Sequence, residues 1–313
     1  MSIKNPVRDL SDKYYVALFI ILVLIYLGLS FLIPPDKTAL HLYHLSLAGA
    51  RAITVSVVVP LTITWAIGLY GTLKIRQYAK LVKKYPEGRG LWLLSNGLLV
   101  LVLSQPFTSV LSNIIGQIAK HQPNTLPTLT ILNNYIQIIF MGIALSMIAA
   151  GASNLANLVK RKNKNESLER QAWVLGMILL SVLYCYFLVL RHLHTPSGPR
   201  LYFMPDWLVL LTIAVPYLFF WYKGLYGTSC LYHYQNNVKG QIYKRSLIYV
   251  AAGIVAVITS SIFIRFLTTV ADKLTRLTIT PILIIIYIFL AITGLGYVLI
   301  AWGARKMRRI EEV

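Results

Sequence analysis

The sequence predicts an all-α integral membrane protein of about eight transmembrane helices. They fall into two parallel four-helix repeats of the same orientation, with a pseudo-two-fold axis along the membrane normal. Three observations lead there. The 313 residues are 57% hydrophobic and only 13% charged, with a mean hydropathy of +0.66, whereas soluble domains carry about 25% charged residues. Apolar stretches recur along the whole chain, each close to the roughly 20 residues that cross a hydrocarbon core. Finally, the chain resembles itself at a fixed offset of 156 residues.

The apolar stretches place helices near 14–33, 52–73, 91–118, 130–158, 172–190, 207–231, 246–270 and 279–303. A backbone in lipid must satisfy its own hydrogen bonds, so these stretches are helices. The first follows Lys4, Arg8 and Lys13 and is too long for a signal-peptide core, so it is read as a retained helix. Pro60 and Pro216 fall inside the second and sixth helices, where proline usually kinks the axis.

Charge sets the expected orientation. The segments 1–13, 74–90, 160–170, 232–245 and 304–313 together hold 21 of the 30 Lys and Arg residues. The other side holds eight, and Lys223 lies within a helix. Short basic loops face the cytoplasm, so both termini are expected there, in a cell membrane with anionic lipid at the inner face. The formal charge of +20 is thus read as topology and lipid contact, and no nucleic-acid partner is expected.

Self-similarity is the most specific signal. Residues 59–72, VPLTITWAIGLYGT, match 215–228, VPYLFFWYKGLYGT, at eight of 14 positions. The ungapped match runs on through Tyr78/Tyr234, Arg89/Arg245, Gly97/Gly253 and Ser104/Ser260, giving 17 identities in 53 positions from 59 to 111. Apolar composition alone would not place a proline, a tryptophan and two glycines in register. Fourth and eighth helices share a proline entry, Pro127 and Pro281, and a small-residue exit, Gly151 and Gly303. The expected units are 1–165 and 166–313. Four helices per unit return the chain to its starting side, so the repeats are parallel. Gly68 and Gly71 are expected to let a neighbouring helix approach closely.

Polar residues inside the spans are the candidate site. The third helix carries Gln105, Ser109, Asn113 and Gln117 on one slowly drifting stripe, and the seventh carries Ser261, Arg265 and Thr269. Asn133 and Gln137 add amides at the outer end of the fourth helix. Polar side chains avoid lipid, so the stripes are expected to face a polar cavity open to the outside. Lys223 and Arg265 are intramembrane cations present only in the second copy. Both can also reach headgroups by extending along the helix.

His41, His44, His192 and His194 lie at equivalent outer positions and are weak metal candidates, because no cysteine or clustered carboxylate completes a site. Cys185 and Cys230 provide neither a disulfide framework nor a ligand spacing. No span holds a mid-membrane histidine of the kind that ligates haem, and Lys223 lacks the acidic counterion of a retinal Schiff base. No cofactor is expected. Without a nucleophile–base pair or paired carboxylates, the chain leans away from catalysis. The expected function is a small transporter or channel-like protein for a polar or anionic solute. The alternative is a non-catalytic sensor, scaffold or subunit that binds lipid or a membrane partner.

Overall fold

The computed structural model describes residues 10–32, 46–121, 126–158, 206–237, 241–271 and 279–308. Seven helices and no strands occur among them: α1 (Leu10–Leu32), α2 (Leu47–Leu81), α3 (Pro86–His121), α4 (Leu126–Asn157), α5 (Asp206–Asn237), α6 (Gln241–Ala271) and α7 (Ile279–Arg308). Six of them are long and apolar enough to cross a membrane. The chain is therefore a polytopic helical membrane protein. The span expected at 172–190 lies outside the described residues.

The helices run past the apolar stretches that announce them. Residues 74–81 continue α2, and α3 begins at Pro86, so only the turn 82–85 remains of the expected loop 74–90. Hydropathy records where side chains meet lipid, whereas a helix ends where its capping carbonyls and amides find other partners. Here Ser46 caps α2, its hydroxyl accepting from the Gly49 amide at 3.0 Å. Pro86 opens α3 at a position where an amide hydrogen is not needed. Pro60 and Pro106 sit inside α2 and α3, and both helices continue through them.

Six helices close a ring in the order α2, α3, α4, α5, α6, α7 and back to α2, each packed on its two neighbours. The first helix lies outside, against α2 and α3. It is the least buried of the six spans and turns Leu18, Ile21 and Leu24 outward, as expected of a helix with almost no polar residues in lipid. At the end of the bundle that carries the basic turn, Lys306 stands over the Trp302 ring at 4.0 Å and the Tyr249 ring at 5.1 Å. Such aromatic and cationic pairs suit the membrane–water boundary.

Glycines bring backbones into contact around this ring. A Cβ on Gly97 of α3 would lie 2.7 Å from the Ala144 carbonyl of α4, and one on Gly151 of α4 would lie 2.6 Å from the Gly90 carbonyl. The same contacts recur between α6 and α7, where Gly253 meets the Gly296 carbonyl and Gly303 meets the Ser246 carbonyl. Gly71 of α2 abuts Ala301 of α7, and Gly227 of α5 abuts Ala149 of α4. The close-packing role expected of Gly71 thus holds, and for Gly68 the neighbour is the Tyr297 ring. Helix pairs α2/α7 and α4/α5 each run in the same direction, since contacts advance together along both chains.

A rigid carbonyl cannot yield to an added methyl. Gly97→Ala and Gly253→Ala should each destabilise the protein by about 1–3 kcal/mol through overpacking. Gly116→Ala, where nothing lies within 4 Å, should be neutral or stabilising, by up to about 1 kcal/mol from helix propensity. Thermal unfolding of the three variants in one detergent checks the contrast in sign.

Candidate functional site

Two sets of side chains cross the ring interior. At the basic end, Tyr78 of α2 meets Tyr243 of α6, their ring centroids 6.0 Å apart. Tyr234 on α5 interacts with both Tyr243 and Glu87, the latter in the first turn of α3. Neither α2 and α6 nor α3 and α5 are ring neighbours, so long side chains bridge between helices whose backbones do not pack. Tyr78 and Tyr234 share the 156-residue offset, as do Glu87 and Tyr243. The four therefore form a belt of equivalent positions across the basic end of the ring.

Deeper in, Tyr297 of α7 is fully buried and lies against Gly68 of α2, where a Cβ would stand 2.7 Å from its ring. The ring passes the glycine and reaches α3, where Gln105 donates its amide Nε2 to the phenol oxygen at 3.1 Å. One turn along α7, the Thr293 and Ser260 hydroxyls meet at 2.6 Å. Thus Gln105 of the expected stripe points into the ring. Other stripe residues do not all follow it. Asn113 donates to Ser30 of α1 at 3.5 Å, on the outer flank, and Asn133 donates to Ser112 of α3 at 2.8 Å. Ser109, Gln117 and Gln137 are half-buried. Ser261, Arg265 and Thr269 lie on α6 with side chains outside the described part, and His41, His44, His192 and His194 lie outside the described residues. Lys223 of α5 is buried and engaged.

Sequence reasoning missed a heavily engaged charge. Arg76, counted there as a loop base, is a buried residue of α2. It donates to Asp12 of α1 at 3.1 Å and to Asn96 of α3, and its guanidinium lies 3.9 Å from the centre of the Trp92 ring. Lys80 donates to the same carboxylate at 3.0 Å. A guanidinium suits this setting because its plane can stack on an aromatic face while its edge donates. The signal available in sequence was the spacing of four between Arg76 and Lys80, which puts both on one helix face.

A recess of about 210 Å³ opens between the ends of α4 and α5, lined by Ser153, Asn157, Tyr226, Ser229, Cys230 and His233. No group of three or more metal-type ligands occurs among the described residues.

Asp12→Ala should loosen α1. Removing one partner from a buried ion pair costs about 3–5 kcal/mol, and the lower figure applies because the Asp12 and Lys80 side chains keep 14% and 24% exposure. Chemical denaturation should show the loss, and Asp12→Glu should recover part of it. No protein-family model matches this chain, and neither does any curated protein or solved structure.

Proposed function

We propose that the chain is a small transporter or channel-like protein for a polar or anionic solute. It would be built from two parallel four-helix repeats, 1–165 and 166–313, with an eighth span over 172–190 and both termini on the cytoplasmic side of a cell membrane. The pairing of glycine contacts supports the repeats: those at Gly97, Gly151 and Gly71 have counterparts at Gly253, Gly303 and Gly227. Helices α4 and α5 run the same way, which supports an odd number of crossings between them.

The observation that carries transport is the composition of the ring interior. Next-but-one helices of the ring are bridged by polar side chains, Tyr78, Glu87, Tyr234 and Tyr243 at the basic end and Gln105 with Tyr297 deeper in. Such bridges can break and reform without unpacking a helix pair, whereas the glycine-packed hairpins α3/α4 and α6/α7 suit rigid bodies. Parallel repeats that rock around a central site are a common transporter design. Arg265, if turned inward from α6, would favour an anionic or hydrogen-bond-accepting solute.

The scaffold or sensor reading has its own support. Leu91, Leu94, Leu98 and Val102 of α3, and Leu247, Val250 and Ile254 of α6, are fully buried and apolar. Asn113 and Asn133 are spent on neighbouring helices.

Spin labels at Asn113, Gln117 and Arg265 separate the two. Transport predicts broadening by a water-soluble nickel chelate in lipid bilayers. Broadening by oxygen alone would sink it in favour of the scaffold. For the topology, cysteines placed at Lys83 and Ser197 should react with impermeant reagents from opposite faces of intact cells, and reaction from one face refutes eight spans.

A further inference from the structure

Helices α2 and α5 carry the same tryptophan and threonine at the 156-residue offset, Trp65/Trp221 and Thr72/Thr228. In α5 both are satisfied. Trp221 donates its Nε1 to the Thr259 hydroxyl at 3.1 Å, and the Thr228 hydroxyl donates to the Gly224 carbonyl at 2.6 Å. In α2 neither is. The Trp65 Nε1 and the Thr72 hydroxyl are buried with no hydrogen-bond partner, each residue only 1% exposed.

Buried polar groups are nearly always bonded, so two orphans at positions whose counterparts are bonded call for an explanation. A buried donor left unmade loses its hydration with nothing in return. They flank one position. Trp65 precedes Gly68 by three residues and Thr72 follows it by four, so each stands about one turn from Gly68 on the same side of α2, with about two turns between the two. Gly68 is where the Tyr297 ring sits. Tyr297 accepts from Gln105, which leaves its own hydroxyl proton and the Gln105 carbonyl oxygen to be used. Pro106 beside it lacks an amide hydrogen, so the Val102 carbonyl of α3 loses its helical partner as well.

We infer that Trp65, Thr72, Gln105 and Tyr297 form a binding site for a small neutral solute bearing hydroxyl or amide groups, which inserts between Gln105 and Tyr297 at Gly68. The site deepens the transport reading and rests on it for the route of entry. The neutral class follows from the groups available. An indole N–H, two hydroxyls and a carboxamide offer both donors and acceptors and no charge. Arg76 is the nearest described charge on that face, one turn beyond Thr72, and it is engaged by Asp12, Asn96 and Trp92. Another copy of the site is not built: in the second set of helices Ile258 fills the notch at Gly224, and at the 152-residue spacing of Gly151 and Gly303 the counterpart of Tyr297 is Leu145.

Thiol reactivity tests it in the full chain reconstituted in liposomes, with Cys185→Ser and Cys230→Ser as background. Thr72→Cys is close to isosteric and keeps the helix face intact. Leu98→Cys, in the fully buried apolar part of α3, is the control. The probes are hydroxyethyl methanethiosulfonate, neutral, and sulfonatoethyl methanethiosulfonate, anionic. The neutral reagent should modify Thr72→Cys at least roughly tenfold faster than Leu98→Cys, because an apolar core excludes a polar reagent. The anionic reagent should show no such preference. Tyr297→Phe, which removes the bridge to Gln105, should raise the neutral rate at Thr72→Cys further. Equal rates at the two thiols overturn the site. Equal preference for the anionic reagent overturns the neutral class. A silent Thr72→Cys with water-accessible labels at Asn113 and Gln117 removes the site while leaving transport standing. A reactive one with lipid-facing labels does the reverse.

Discussion

Backbone-to-backbone contact at glycine is the constraint on which this bundle depends. Lipid chains are as apolar as leucine, so burial of side chains gives helices little reason to associate. What remains is dispersion between surfaces that fit closely, and the closest fit is available where no Cβ intervenes. Gly97 against Ala144 and Gly151 against Gly90 join α3 to α4, and Gly253 against Gly296 and Gly303 against Ser246 join α6 to α7. Gly71 with Ala301 and Gly227 with Ala149 join α2 to α7 and α4 to α5, and the α2/α3 and α5/α6 seams complete the ring. Four of the six seams of the ring rest on these contacts. So does the set of side chains that can reach across the interior.

That consequence shows most clearly at Gly68. Its missing Cβ admits the Tyr297 ring, and only because the ring passes α2 can its hydroxyl meet Gln105 on α3. The counterpart notch at Gly224 takes Ile258 instead. Helices that share a tryptophan and a threonine in register therefore sit in different chemical surroundings: Trp221 and Thr228 are hydrogen-bonded, and Trp65 and Thr72 are not.

Charge is distributed with the same asymmetry. Arg76 and Lys80 tie α1 to α2 through Asp12, and the offset places Tyr232 and Asn236 at the corresponding positions of α5. Burying a guanidinium is costly unless its donors are met, and here a carboxylate, an amide and two aromatic faces meet them. The outermost helix is thus held by a polar lock at one end and by apolar contact, including Tyr26 on Trp65 at 5.3 Å, in its middle.

The sequence by itself determined the all-helical membrane class, because hydropathy over about 20 residues is a local property that the bilayer reads directly. It also determined the offset that pairs Gly97 with Gly253 and Tyr78 with Tyr234, since identity in register needs no coordinates. Helix ends were not legible: α2 runs eight residues past its expected end at 73 because amphipathic turns continue a helix after lipid contact stops. Which member of the polar stripe faces inward was decided only by tertiary structure. Gln105 and Asn113 share the α3 stripe, yet one reaches Tyr297 and the other Ser30. Periodicity gives the angle of a side chain about its own axis, but the neighbour at that angle depends on how closely the backbones pack, and glycine contacts between distant segments set that distance.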